Sequence, residues 1–302
     1  MLLASVAAGC LESTPSKPAP SVCGTPVTYD AIQFETDAGP LAVILYNSSA
    51  PKTVDLMQDY VGEGYYENRG FYRIVPGHVI QITDPAGGAT DDPRTVPLET
   101  SLAHQFSAGA VGIARSADPD SGGPEFFIMD FATSHLHGNY TVWGQVVDGL
   151  DVVHRIARGP AVNFRSLPSE LAPAAPTDSM ALKAATIQST RMARITPNPG
   201  IYPMQVAMNA RVGDLRHSLE WPNCLENGWT ADLTWYIRGY NGTVAPDAGR
   251  VRIQVDGQEL PVVGEPEFAG IYHVRWTVTP GTTHSVSMIQ DGKTLATLQL
   301  TR

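Results

Sequence analysis

Short apolar-rich runs of five or six residues recur along this chain, several of them alternating apolar with polar residues, and turn formers such as Gly, Pro, Asn and Asp fall between many of them. That period of two is the pattern of a half-buried β-strand, and the breakers set the length of each strand. Ala31–Thr36 alternates, Asp37-Ala38-Gly39-Pro40 turns, and Leu41–Tyr46 returns. Further runs fall at Gly70–Val75, Val79–Thr83, Gly109–Ala114, Glu125–Asp130 and Thr141–Val146. Two segments have helical spacing instead: Ala50–Val61, with a proline suited to a first turn, and Asp148–Ala157. Many strands with two short helices predict a closed barrel plugged by helices. Residues 159–179, rich in Pro, Ala, Ser and Thr, read as a long loop, and Lys183–Thr190 as the last strand of the unit.

The 302 residues are enough for two domains, and Thr196-Pro197-Asn198-Pro199-Gly200 reads as the linker. The predicted division is 1–29 as leader and tether, 30–195 as the first domain and 200–302 as the second. Beyond the linker the pattern is entirely β. Val251–Val255 leads into Asp256-Gly257, Val274–Val278 alternates, and Ser285–Met288 precedes Asp291-Gly292. Asp-Gly between alternating runs is a hairpin signal, and short strands at this spacing predict a β-sandwich. Cys224 and Trp235, eleven apart, resemble the core cysteine and tryptophan of an immunoglobulin-like fold. Ala269–Val274 is similar to its tyrosine-corner strand, with Val274 where the second cysteine would be. Acidic residues outnumber basic ones, 30 to 20, for a formal charge of -10. No Lys/Arg run makes a nucleic-acid footprint, so no nucleic-acid partner is expected.

The first ten residues, Met1-Leu2-Leu3-Ala4-Ser5-Val6-Ala7-Ala8-Gly9-Cys10, resemble the end of a bacterial lipoprotein signal peptide, with Cys10 as the lipidated residue. Ala7 in place of Leu and the lack of a basic start depart from that pattern; the plain alternative is an ordinary apolar N-terminus. Ser13–Ser21 is a Pro/Ser tether. Together they predict an extracytoplasmic protein held to a cell-envelope membrane through lipid alone. Cys23 and Cys224 then remain, either as a disulfide or as two separate thiols. No cysteine or histidine spacing suggests zinc.

The most specific segment is Phe71-Tyr72-Arg73-Ile74-Val75-Pro76-Gly77-His78-Val79-Ile80-Gln81-Ile82-Thr83-Asp84-Pro85. It resembles the cyclophilin signature F-H/Y-R-I-I-P-G-F-x-x-Q-G-G-D-P. Three blocks follow in the family's order: Pro97-Leu98-Glu99 ahead of Gly109–Arg115, then Pro124–Ile128, similar to S-Q-F-F-I, then Leu136–Val146, similar to L-D-G-x-H/Y-x-V-F-G-x-V. The resemblance runs from about Ile32 to Ala193. It implies a cyclophilin-like closed β-barrel ahead of the immunoglobulin-like sandwich, and peptidyl-prolyl cis–trans isomerase activity on exported proteins.

That reaction is rotation about an X-Pro amide, against a resonance barrier of about 18–20 kcal/mol. It requires no cofactor and no metal; the partners are proline-containing polypeptides, met by a monomer. A fixed guanidinium can donate to the amide nitrogen, which becomes pyramidal and basic as the bond twists. The resemblance gives this role to Arg73. It places Gln81 and the Ala114 backbone on the peptide, Phe127 at the floor of an apolar proline pocket, Leu136 and Val79 on its walls, and Tyr140 as a donor to a carbonyl. Four departures stand in the pocket. His78 replaces Phe, His135 falls where Trp or Phe is usual, Glu125 replaces Gln, and Ile82-Thr83 replaces Gly-Gly. Each imidazole wall weakens burial of the proline ring by about 1 kcal/mol or more. Glu125 brings a negative charge close to Arg73. A competing reading follows: a slow module that grips proline-containing segments, with the sandwich as partner- or envelope-binding surface. His135 with His137 lacks a third ligand, and Asp91, Asp92, Asp118 and Asp120 lack a calcium-loop spacing, so both sets read as incidental.

Overall fold

The structure is a computed structural model describing residues 26–83, 92–133, 135–158, 164–166, 179–181, 185–197, 205–212, 215–221, 230–239, 251–264, 271–277 and 282–301. Cys10, Cys23 and Cys224 lie outside the described residues, as do Asp84, Pro85 and Asp91.

The N-terminal unit runs β1 (Tyr29–Thr36), β2 (Gly39–Leu45), α1 (Pro51–Gly62), β3 (Gly70–Val75), β4 (Val79–Thr83), β5 (Ala110–Ile113), β6 (Phe126–Met129), β7 (Val142–Asp148), α2 (Leu150–Arg158), β8 (Phe164–Ser166), β9 (Ser179–Ala181) and β10 (Ile187–Ile195). Eight strands form one antiparallel sheet in the order β10-β1-β2-β7-β5-β6-β4-β3. The sheet curls so far that its two edges meet at one end. The Phe71 N–H donates to Ala185 O and the Ile187 N–H to Arg69 O, and Gly70 bridges Thr186. The expected closed barrel is thus an eight-stranded curled sheet whose edges are laced where β3 begins.

Its inner face carries one apolar cluster: Ile32, Phe34, Leu41, Val43, Phe71, Ile74, Ile80, Ile82, Val111, Phe126, Ile128 and Trp143. Val54, Met57 and Tyr60 of α1 and Val152, Val153 and Ile156 of α2 enter the same cluster, so both helices act as plugs. The first turn of α1 has no side-chain cap of its own at Ala50. Glu99, distant in sequence, supplies one: its carboxylate accepts from the N–H groups of Lys52 and Thr53 and from Thr53 Oγ1 at 2.8–3.1 Å. A negative group at a helix N-terminus satisfies orphan donors and meets the positive end of the macrodipole.

Two boundaries differ from the sequence-based expectation. The loop expected over 159–179 contributes β8 and pairs, as Phe164–Ser166, with β9. The last strand runs to Ile195 rather than Thr190, because β1 offers partners over its whole length, from Thr36 to Tyr29.

The C-terminal strands are β11 (Gln205–Val212), β12 (Leu215–Trp221), β13 (Thr230–Gly239), β14 (Val251–Val255), β15 (Gln258–Leu260), β16 (Val262–Gly264), β17 (Ile271–Thr277), β18 (Thr283–Gln290) and β19 (Lys293–Thr301). They form a five-stranded sheet, β11-β12-β13-β17-β16, and a four-stranded sheet, β15-β14-β18-β19. Both Asp-Gly pairs make the expected tight turns, with all four residues at positive φ: Asp256 and Gly257 at 53° and 80°, Asp291 and Gly292 at 51° and 75°. Val251, Ile253, Val255, Val286 and Met288 are buried on one sheet, Val274 and Trp276 on the other. Trp235 of β13 is the register partner of Tyr272 on β17.

Candidate active site

A second apolar cluster covers the outer face of the curled sheet. It joins Val79, Phe106, Phe127, Met129, Leu136 and Val142, with Ala114 and Tyr140 packed against it. Four of the residues assigned to the pocket from sequence, Val79, Phe127, Leu136 and Ala114, therefore meet in one place, and Tyr140 joins them.

Arg73 reaches this face through an irregularity in β3. Strict alternation would set Tyr72 opposite Gln81. Instead Phe71 pairs with Ile82 and Arg73 with Gln81, so one residue is inserted. Phe71 and Ile74, three apart, both point into the barrel, and Arg73 is turned outward beside Gln81. A bulge next to an active site re-aims a side chain in this way. Gln81 in turn pairs with Phe127 on β6. Arg73, Gln81 and Phe127 thus lie in a row across three neighbouring strands. Arg73 Nη1 donates to Gln81 Oε1 and Gln81 Nε2 to Glu125 Oε2, each over 3.4 Å. Gln81 stands between the guanidinium and the new carboxylate, and the contacts are long enough for a better acceptor to displace.

Phe127 is held by two rings. Phe106 stacks on it with centroids 5.5 Å apart, and Tyr140 meets it edge-on at 5.8 Å. Tyr140 is covered by Arg115, whose guanidinium carbon sits 4.5 Å from the ring centroid while Nε and Nη2 donate to Asn139 O. Ala114 closes the other side, its N–H donating to Glu125 O at 2.8 Å. His78 and His135 face one another at the rim, ring centroids 5.5 Å apart, with His135 Nδ1 2.7 Å from Thr133 Oγ1. His137 Nε2 accepts the Phe106 N–H at 2.9 Å, and its burial lowers its pKa, so the ring is a neutral acceptor.

The turn that carries His78 and Val79 is pinned from below. Gly77 sits at φ 71°, which only glycine adopts without strain, and the His78 N–H closes the turn onto Val75 O. Asp130, fully buried, accepts the Gly77 N–H at 2.6 Å, faces His154 Nδ1 at 2.6 Å and accepts from Arg158 Nη1 at 3.0 Å. Burial pushes the Asp130 carboxyl up, but His154, Arg158 and the Gly77 amide outweigh it and leave the pKa below the usual value.

Sequence reasoning missed Asp130, Phe106 and Gly112. Asp130 ends a strand and carried no sequence signal of burial. Gly112 of β5 lies under both rings: a Cβ there would come within 2.7 Å of Phe106 and closer still to Phe127. Gly112→Ala is expected to lift Phe127 off the sheet, costing about 1–3 kcal/mol of stability. It should also raise KM for an X-Pro peptide; chemical unfolding and peptide kinetics on the same variant read the two effects. An unchanged KM would show that the floor ring tolerates displacement.

The sequence profile of the family described as "Cyclophilin type peptidyl-prolyl cis-trans isomerase/CLD" matches residues 31–180. The chain is 36% identical over 125 residues to peptidyl-prolyl cis-trans isomerase B of Bacillus subtilis, covering 41% of this chain and 87% of that protein. It is 33% identical over 131 residues to peptidyl-prolyl cis-trans isomerase-like 1 of Emericella nidulans, covering 41% and 80%. A crystal structure of a Cryptosporidium parvum cyclophilin type peptidyl-prolyl cis-trans isomerase superposes with a TM-score of 0.42 at 24% identity, over 53% of this chain and 98% of that one. The chain belongs to the cyclophilin-type peptidyl-prolyl cis–trans isomerase family, and it is an enzyme of that class.

Proposed function

We propose that this isomerase turns X-Pro bonds of exported polypeptides during their folding, with Arg73 stabilising the twisted amide. The observation that carries the reading is the row Arg73–Gln81–Phe127 on β3, β4 and β6. Phe127, Val79 and Leu136 receive the proline ring, which fixes the imide beside Arg73. Gln81 and the Ala114 backbone hold the peptide on either side, and Tyr140 offers a phenol to a carbonyl. The guanidinium donates to the imide nitrogen as it loses conjugation, an interaction weak in the planar ground state and strongest at the twisted geometry. No bond is made or broken, and no proton needs to be transferred. The export assignment is supported by Leu2–Cys10 and the Pro/Ser tether, with Cys10 as lipid acceptor. The C-terminal sheets, read as an immunoglobulin-like sandwich, would then place the isomerase on envelope material or a partner.

His78 and His135 at the rim, with Glu125 beside Gln81, favour a second reading, a slow binder of proline-containing segments. A protease-coupled assay on a panel of X-Pro peptides separates the two. Acceleration of cis-to-trans conversion supports the enzyme reading; saturable peptide binding with no rate above the uncatalysed one supports the binder. For export, the wild-type protein should fractionate with membranes in a bacterial host and Cys10→Ser should release it. Equal fractionation of both would sink the lipid anchor.

A further inference from the structure

One carboxyl of the C-terminal sheets stands apart from the rest. Glu220 on β12 is 1% exposed, although it belongs to neither the barrel nor the pocket sequence motifs. Among the described residues, its carboxyl is met from outside its own sheet. The Ala108 N–H donates to both its oxygens, at 3.1 and 3.0 Å, and the Ala132 N–H is a second backbone donor. Glu220 therefore crosses 112 residues of sequence to sit between two loops of the N-terminal unit.

Those loops build the pocket. Ala108 lies two residues after Phe106, the ring stacked under Phe127. Ala132 lies between Asp130, which pins the Gly77 turn, and the His135–Leu136 wall. The two loops already touch: the Thr133 N–H donates to Phe106 O and the Phe106 N–H to His137 Nε2. On its far side Ala108 O accepts from Gln145 Nε2 at 2.7 Å, whose own Oε1 takes the Ser107 hydroxyl. Every polar group of the 106–108 segment is thus committed, and one of those commitments reaches out of the barrel unit. A buried amide left without its acceptor costs the full desolvation of that group, so the arrangement depends on the carboxyl being there.

We propose that Glu220 is a positioning residue of the prolyl-isomerase pocket: by tying the Ala108 and Ala132 amides to one carboxyl, the C-terminal sheet holds Phe106 under Phe127 and sets the Leu136 wall against it. The inference rests on the isomerase reading of that pocket. The C-terminal sheet then completes the site, in addition to any partner it contacts. Burial pushes the Glu220 carboxyl up to about 8 against the opposing pull of the two amides, so near neutral pH glutamine is its close isostere.

The test uses the full chain, wild type, Glu220→Ala and Glu220→Gln. With an Ala-Pro peptide in the coupled assay, Glu220→Ala is expected to raise KM about tenfold with kcat changed less than about twofold. Glu220→Gln, which keeps one acceptor oxygen, should recover most of that affinity. In 1H–15N spectra the Ala108 and Ala132 amides should move upfield in Glu220→Ala. Wild-type KM in Glu220→Ala, or amides that do not move, would overturn the proposal. So would a loss shared equally by kcat and KM in both variants alongside a lowered melting temperature, the mark of a merely structural role. A wild type without turnover would refute the isomerase reading instead. The peptide Kd then carries the test, a rise of about tenfold in Glu220→Ala supporting the positioning role and an unchanged value overturning it.

Discussion

Arg73→Ala is expected to lower kcat/KM by about 10²–10³-fold, the usual effect of removing one preorganised donor from a developing charge. The fold should not register the change. Arg73 is partly exposed and turned outward by the β3 bulge, away from the apolar cluster inside the barrel. Truncating such a side chain changes stability by about 0.5 kcal/mol or less. Arg73→Lys should recover little, because a lysine offers a point charge where the twisted imide meets a planar fork held in one orientation. The decisive measurement is the protease-coupled rate with melting temperatures taken in parallel. A loss smaller than about tenfold at unchanged stability would place the amide stabilisation elsewhere in the pocket.

Asp130→Ala is expected to have the largest effect on the fold, about 3–5 kcal/mol, which is the range for breaking a buried ion pair by removing one partner. The carboxylate is fully buried and serves three groups at once: the Gly77 amide, His154 and Arg158. Its loss leaves two α2 side chains and the pocket turn without their common anchor. Denaturant unfolding at neutral pH measures the cost, and a change below about 1 kcal/mol would mean that the network relaxes around the gap. The pH dependence has a definite sign. The folded pKa of Asp130 lies below its ordinary value of 3.8, so its contribution is present above that value and is lost as pH falls through the depressed one. The part of the stability gap between wild type and Asp130→Ala that the Asp130 carboxylate itself supplies should therefore narrow only under acid conditions, as pH falls through the depressed value.

The two predictions fall on opposite sides of what the chain reveals on inspection. Arg73, Val79 and Gln81 could be picked out because a fifteen-residue signature keeps them at set spacing, and Ala114, Phe127 and Leu136 because their blocks follow in order. Helix α1 was visible from its proline and apolar period, and both Asp-Gly hairpins from turn chemistry that only positive φ satisfies. The bulge that turns Arg73 outward was not visible, since it depends on Phe71 and Ile74 both preferring the barrel interior. Nor was Asp130, because an acidic residue reads as exposed until its partners, on a helix 24 residues away, are placed around it.

Local order in the sequence thus determined the elements, the turn types and the residues proposed for the chemistry. These follow from short-range rules, the period of two or 3.6 and the special torsions of Gly and Pro. The tertiary structure alone decided how that chemistry is held. Gly112 sits beneath two rings, Glu99 caps a helix 47 residues away, and Glu220 joins the pocket loops from another sheet. Each of these is a pairing between distant positions. A buried polar group must find a partner wherever the fold puts one, and no local pattern states where that will be.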